Sequence, residues 1–442
     1  MFNPDIFRSY DVRGVVPDEF DPAEAYHIGR AYVEYTQADR VVVARDMRQS
    51  GDEIEAELVR GLTEAGADVV KIGQSTSPMF YFSVHYLKVD GGLMVTASHN
   101  PGKYNGIKMT RKEAIPIGGD SGLYDIRDLA KKRQWQEVAE KGNVSEDTSI
   151  KKAYLDMACE DGLAEGLKIV ADAGNGMSGL LLNDVFKRIG GEVVPLYWEL
   201  DGSFPNHEAN PLEEKNMRDL HTAVKENGAD LGVAFDGDAD RVFFGTEQGV
   251  TVPGDITTAL IAQRVLAQQT GATILYDLRS SRATKEAIEA AGGKAVMSKV
   301  GHSNIKKQMR ETGAVFAGEL SGHFYFTPWY AESGLLALMA IIKTLKKDGK
   351  PLSQIVEPLL RYVKTPEINF EVADKAGAMN RIKERFSDAD ILELDGVSIS
   401  YPEWWANVRA SNTEPLLRLN MEANTPQLLA EKRAEIEELI KE

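Results

Sequence analysis

Short apolar runs alternate with longer helix-like segments along nearly the whole chain. The first run is Val41-Val42-Val43-Ala44. A helix is predicted around Glu53–Ala65 and ended by Gly66, then a strand over Asp68–Ile72, a helix after Pro78 and a strand over Leu93–Val95. The same rhythm resumes with strand Leu167–Ala171, helix Leu180–Ile189, strand Glu192–Tyr197, helix Met217–Glu226 and strand Leu231–Phe235. It returns a third time with helix Ile256–Gln269, strand Thr273–Tyr276, helix Ala283–Ala291, strand Ala295–Met297, helix Asn304–Glu311 and strand Ala314–Ala317. Alternation of this kind predicts α/β layers. From about Val363 the pattern changes. Strand Ile368–Val372 and helix Ala376–Phe386 are followed by three strand-like runs (Val397–Tyr401, Trp404–Arg409, Leu416–Met421) and a charged helix, Gln427–Lys441, which predicts a small α+β domain. The charged, apolar-poor stretch Arg127–Glu146 reads as a helical linker into a second domain, and Pro366 with the composition change around Tyr362–Pro366 suggests a hinge. These breaks divide the chain into 1–145, 146–250, 251–362 and 363–442.

One detail recurs in the first three segments. A helix ends in a glycine-containing turn (Val89–Gly92, Asn227–Asp230, Thr312–Ala314), an apolar strand follows, and the strand runs into a polar motif. The motifs are Thr96–Pro101, Asp236–Arg241 and Gly318–His323. Ligands of parallel α/β units bind beyond the carboxyl ends of strands, so three such ends can serve one cleft.

Composition narrows the range of functions. A chain of 442 residues is too long for a single ordinary core, and 43% hydrophobic with 27% charged residues is typical of a soluble globular protein. The formal charge of −17 disfavours nucleic acid and anionic membrane as partners, so an anionic small substrate needs a local cluster of cations. The single cysteine, Cys159, excludes an internal disulfide and fits a reducing compartment. The first twenty residues are charged and lack a long apolar run, and the longest apolar stretch, Gly334–Ile342, is short of a membrane span. A cytoplasmic protein is expected.

Chemistry concentrates in the motifs. Strand Leu93–Val95 delivers Ser98, His99 and Asn100 into one loop closed by Pro101, which presents Ser98 as a nucleophile, although the same residues also make an ordinary polar turn. In Asp236-Gly237-Asp238-Ala239-Asp240-Arg241, three carboxylates at alternate positions can converge on a hard divalent cation. An EF-hand is disfavoured because Arg241 stands where glycine is needed and the flanks are strands; a phosphatase loop with Asp236 as nucleophile is a second possibility. Gly174-Asn175-Gly176-Met177-Ser178-Gly179, with Glu199 twenty residues on, matches a dinucleotide fingerprint but leaves the aspartate loop unexplained. Glu319, Ser321 and His323 suit a sugar, since Glu319 can accept from vicinal hydroxyls. Arg409, Ser411, Asn412 and Thr413 form either a phosphate cradle or a polar hairpin. Arg13, Lys108, Arg241 and Lys299 are further cations in non-helical contexts.

Together these motifs resemble the α-D-phosphohexomutase family over essentially the whole chain. Thr96–Pro101 is similar to its phosphoserine loop, Asp236–Arg241 to its metal loop, Gly318–His323 to its sugar loop and Arg409–Pro415 to its phosphate loop. Tyr10–Gly14 is similar to its N-terminal signature, and Gly174–Gly179 to the start of its second domain. The resemblance implies four domains around a central cleft, three of them related α/β domains with mixed sheets and the last α+β. It implies interconversion of hexose 1-phosphate and hexose 6-phosphate, with mannose or glucose as the sugar, through a hexose 1,6-bisphosphate that also acts as activator. Ser98 would carry the phosphoryl group and join Asp236, Asp238 and Asp240 in holding Mg²⁺. Arg13, Lys108 and Arg241 would lie near the transferring group, His99 would orient the loop, and Lys108 or His323 would move the hydroxyl proton. Lys299, His302, Glu319, Ser321, Arg409, Ser411, Asn412 and Thr413 would bind substrate. A phosphoglucosamine mutase is the alternative within the family; Ala239 and Asn412 stand where that group commonly has glycine. The expected partner is a small sugar phosphate, met by a monomer or homodimer.

Overall fold

In a computed structural model the protein is described over residues 2–410 and 416–441. Strand Gly91–Val95, buried at every position, lies inside a seven-stranded mixed sheet. Its neighbours are Arg40–Arg45, parallel, and Tyr104–Arg111, antiparallel. Strand Asp68–Gln74 continues the parallel side, Val12–Val15 the antiparallel side, and Ile115–Pro116 pairs with Tyr104–Arg111. A strand covered on both faces has no polar face, which is why Val41–Ala44 and Leu93–Val95 are unbroken apolar runs. Helices Glu24–Thr36 and Gly51–Glu64 pack on this sheet, and their Ile28, Ile54, Leu58 and Leu62 join its core with no exposure.

The helical linker expected over 127–146 is only partly present. The helix Leu123–Lys132 stops at Arg133, whose φ of 50° is left-handed. Val144–Glu146 is instead a strand, parallel to Asp68–Gln74 at the edge of the first sheet. All three of its residues are exposed, so no apolar pattern marks it. It is held by backbone and side-chain bonds, with Asp68 accepting from the Asn143 N–H at 2.7 Å.

The second sheet runs Thr251–Val252, Val242–Thr246, Leu231–Phe235, Lys168–Asp172, Glu192–Leu196. Its inner three members are parallel to one another or paired antiparallel in a hairpin, so this sheet is also mixed. These two sheets belong to one body, Met1–Val252 with Ser321–Ser353. The returning piece contributes the hairpin Phe324–Phe326/Ala331–Glu332 and helix Gly334–Asp348. The helix is held to the body by Lys343–Glu160 at 2.7 Å, and Ser333 at its N-cap meets the Tyr154 hydroxyl at 3.0 Å.

The other body is Pro253–Leu320 with Gln354–Glu442. It holds three parallel strands, Lys294–Ser298, Thr273–Asp277 and Phe316–Gly318, beside helices Gly254–Gln268, Arg282–Ala290 and His302–Thr312. It also holds the C-terminal antiparallel sheet, ordered Val363–Lys364, Leu416–Ala423, Trp404–Ala410, Val397–Ser400, Asp390–Leu392, with Ile368–Glu371 added to Leu416–Ala423. Helices Lys375–Arg385 and Pro426–Lys441 bury Ile382, Ile436 and Ile440 in the core of that sheet. The segment read as a hinge is tied down: Lys364 pairs with Glu422 in the sheet, and its ammonium meets Asp255 at 2.5 Å. Among the described residues no helix is long and apolar enough to cross a membrane.

Candidate active site

Ser98 sits in the loop after strand Gly91–Val95 and has a left-handed φ of 51°. Its N–H donates to Thr96 Oγ1 at 3.0 Å, and the Thr96 hydroxyl donates to Asp46 Oδ2 at 2.7 Å. Its carbonyl accepts from the Arg48 guanidinium at 2.8 Å, and Arg48 Nε donates to the same Asp46 oxygen at 3.1 Å. Both ends of the Ser98 main chain are thereby tied to one carboxylate. Ser98 Oγ is left facing Asp236 Oδ2 at 3.1 Å and His99 Nδ1 at 3.1 Å.

Asp236 comes from the loop after Leu231–Phe235, so two strand ends from different sheets converge within one body. Asp236, Asp238 and Asp240 are buried and offer carboxylate oxygens all within 4.8 Å of one another. Asp238 Oδ1 is buried with no hydrogen-bond partner. Hard oxygen donors clustered this closely, one of them without a partner, fit a hard divalent cation. Burial, then the neighbouring Asp240 and Asp238, push the Asp236 carboxyl well above its usual pKa. Burial also opposes charge on Asp240, but Lys108, His323 and Arg241 hold it well below the usual range. Lys108 supplies the local countercharge: its ammonium lies 2.6 Å from both Asp238 and Asp240.

Arg241 donates its N–H to Asp236 Oδ1 at 3.0 Å, and its Nε lies 3.3 Å from His323 Nε2. His323 also faces Asp240 at 3.2 Å, and its Nδ1 meets the Ser321 hydroxyl at 2.9 Å. Arg13 donates to Asn100 Oδ1 at 2.6 Å and is paired with Asp11. The first body therefore gathers Ser98, His99, Arg13, Lys108, Asp236, Asp238, Asp240, Arg241, Ser321 and His323. The Gly174–Gly179 run is absorbed structurally behind the same loop. Met177 N–H donates to Gly237 O at 2.8 Å, and a Cβ on Gly176 would lie 2.9 Å from that oxygen.

The other expected positions that fall among the described residues lie in the second body. Glu319 accepts from the Gly301 N–H at 3.0 Å, one residue before His302 begins its helix; Lys299 follows strand Lys294–Ser298. Arg409 pairs with Glu367 at 3.1 Å, and Glu367 also receives Arg418 at 3.1 Å and stands 3.8 Å from Arg279. Ser411, Asn412 and Thr413 lie outside the described residues.

Asp46, Arg48, Asp277, Arg279 and Glu367 were absent from the sequence reading. A signal was there: Asp46-Met47-Arg48 and Asp277-Leu278-Arg279 both stand at the end of a parallel strand. In each, the aspartate Oδ1 accepts the arginine N–H, at 3.0 and 2.7 Å, and the guanidinium turns back onto the carboxylate. At the matching strand end of the second sheet, Asp172 Oδ1 accepts from the Gly174 N–H at 2.8 Å, and His207 Nε2 meets its other oxygen at 3.0 Å. The three α/β segments thus share one strand-end device.

The sequence matches the family described as phosphoglucomutase/phosphomannomutase in four stretches: alpha/beta/alpha domain I over residues 4–137, domain II over 149–249, domain III over 253–362 and the C-terminal domain over 367–439. The chain belongs to the phosphoglucomutase/phosphomannomutase family. Among relatives in this family, a phosphomannomutase of Methanocaldococcus jannaschii is 39% identical, with 98% of this chain and 97% of that protein covered. A phosphomannomutase/phosphoglucomutase of Pseudomonas aeruginosa is 37% identical over 96% of this chain and 93% of its own. A crystal structure of a phosphoglucomutase/phosphomannomutase family protein from Burkholderia thailandensis superposes with a TM-score of 0.92 at 34% identity, covering 100% of this chain and 98% of that one.

Proposed function

We propose that this protein is a phosphohexomutase that interconverts the 1- and 6-phosphates of mannose or glucose, with Ser98 as the phosphoryl carrier. The observation that carries the reading is Ser98 Oγ, 3.1 Å from Asp236 and fixed at the edge of a buried three-carboxylate cluster. The family membership supports the substrate class. Ser98, Asp236, Asp238 and Asp240 would hold Mg²⁺. When bound, that ion supplies electrostatic relief to the phosphoryl oxygens as charge shifts between donor and acceptor.

In the first half-reaction the bond from phosphorus to Ser98 Oγ breaks as a bond forms to a sugar hydroxyl oxygen. The hydroxyl proton leaves for His323; Lys108, held as an ammonium between Asp238 and Asp240, could accept it only after giving up a proton of its own. Little covalent help is needed, because this chemistry depends chiefly on positioning and charge stabilisation. Arg241 and Arg13 would stabilise the same charge. The hexose 1,6-bisphosphate then turns, and the second half-reaction returns its other phosphoryl group to Ser98. Lys299, His302, Glu319 and Ser321 would hold the sugar; Arg409, Ser411, Asn412 and Thr413 would hold the distal phosphate. A phosphatase with Asp236 as nucleophile is disfavoured, because Oδ1 of Asp236 is engaged by the Arg241 N–H and Oδ2 faces Ser98. Ala239, at a left-handed φ of 62° where the glucosamine group commonly has glycine, favours mannose and glucose over glucosamine.

The test has two parts. Turnover is compared on glucose, mannose and glucosamine 1-phosphates, and the protein is incubated with labelled hexose 1,6-bisphosphate before phosphopeptide mapping. Label on Ser98 with loss of turnover in Ser98→Ala is expected. Label elsewhere, or undiminished turnover in Ser98→Ala, overturns the proposal.

A further inference from the structure

We propose that Arg48 is a positioning residue for the phosphoryl transfer, setting the orientation of the Ser98 loop without touching the substrate. The inference rests on the mutase reading above and deepens it. Arg48 has no side-chain exposure, and its guanidinium has an acceptor for all five N–H groups. One N–H goes to Asp46. The other four go to the main-chain carbonyls of Pro101 at 2.9 Å, Tyr104 at 2.7 Å, Ser98 at 2.8 Å and Asn100 at 2.6 Å. The negative ends of four peptide dipoles are thereby drawn into one buried cation, away from the hydroxyl that would carry a dianionic phosphoryl group. Asp46 neutralises that cation, so its net electrostatic pull on the phosphoryl group is small and its contribution is geometric.

Asp46 completes the arrangement on the other side. Through the Thr96 hydroxyl it fixes the Ser98 N–H, and through Arg48 it fixes the Ser98 carbonyl. A left-handed φ at a serine persists only where its surroundings over-determine it, and this closed loop of bonds does so. The far face of Arg48 is covered by the Phe204 ring, 5.4 Å from the guanidinium carbon. At the matching strand end of the third segment the same Asp-x-Arg pair occurs with a different duty: Arg279 lies 4.0 Å from Glu319 and 3.8 Å from Glu367, both side chains. The carbonyl clamp is therefore specific to the loop that carries the hydroxyl. A lysine at position 48 keeps the charge but has three donors and no planar fork, so it cannot serve these five acceptors.

The experiment compares wild type, Arg48→Lys and Thr96→Val in full-length, Mg²⁺-loaded protein with saturating hexose 1,6-bisphosphate. Steady-state kinetics with mannose 1-phosphate and thermal melting are measured on the same samples. The expected result is a fall in kcat of about 100-fold for Arg48→Lys, the scale of a misplacement near 1 Å, with KM within twofold. Thr96→Val, which removes one hydroxyl, loses about tenfold in kcat with the same split. Should Arg48→Lys fail to fold, the Thr96→Val split decides. Wild-type kcat in a variant that melts lower would make Arg48 a stability residue and overturn the inference, as would a raised KM with kcat retained. No turnover by wild type on any hexose 1-phosphate would instead overturn the functional reading, and the positioning role with it.

Discussion

Gly237, between the first two aspartates of the Asp236–Arg241 loop, offers a stringent perturbation. A Cβ at this position would lie 2.4 Å from the Ser98 carbonyl oxygen and 3.2 Å from its carbon. Carbon–oxygen contacts settle near 3.3–3.6 Å, so Gly237→Ala demands about 1 Å of movement. The aspartate loop cannot easily give way. Gly237 donates its N–H to Ala209 O at 3.1 Å and accepts from the Met177 N–H at 2.8 Å, with Gly176 directly behind. Ser98 is restrained in its turn by Arg48, so whichever loop yields, the two loops move apart. The shift therefore falls on the distance between Ser98 Oγ and the carboxylates. A displacement of about 1 Å costs about 100-fold in rate, or about 2.7 kcal/mol at 1.36 kcal/mol per tenfold. The assay is kcat for mannose 1-phosphate in a coupled reaction, with a melting curve to register the overpacking separately. A kcat within threefold of wild type would refute the claim that the two loops are packed at a distance the chemistry needs.

Two further predictions follow from charge. Mg²⁺ should raise the melting midpoint of the wild-type protein, the stabilisation reaching about 2.7 kcal/mol at a hundredfold excess over Kd; chelation should reverse it, and Asp238→Asn should abolish most of the response in a thermal shift titration. Burial works against the Glu367 carboxylate, but Arg279, Arg409, Asn420 and Arg418 hold its pKa below the usual range. Its depressed native pKa makes a contribution to stability that is present above the unfolded value of about 4.3 and lost as pH falls through the native one. Glu367→Gln should therefore melt lower than wild type at pH 7, and the gap should narrow below about pH 4.

The sequence displayed the strands with no polar face most clearly. Leu231–Phe235 and Leu93–Val95 are apolar at every residue because both sheet faces are covered, and their ends locate the serine and aspartate loops. Val144–Glu146 could not be seen, since an exposed edge strand held by backbone bonds leaves no apolar trace. That Ser98 meets Asp236 across 138 residues is not contained in either motif; only the resemblance brought them together. Arg48 illustrates the hardest case. A cation directly after a strand looks like a solvated charge, and only the fold shows that four carbonyls close around it. The repeated Asp-x-Arg at Asp46 and Asp277 was the available clue, readable once the two strands were aligned by their ends.

The helix Gly334–Asp348 lies within the stretch 253–362 matched as a single inherited segment, yet it coheres with residues before Val252. The stretch matched as one domain and the unit that holds together physically are thus different objects. Excising 253–362 would take Leu335 away from Tyr154, Leu181, Leu182, Val185 and Phe235, which line one small cavity with it, leaving a greasy scar on one fragment and a groove on the other.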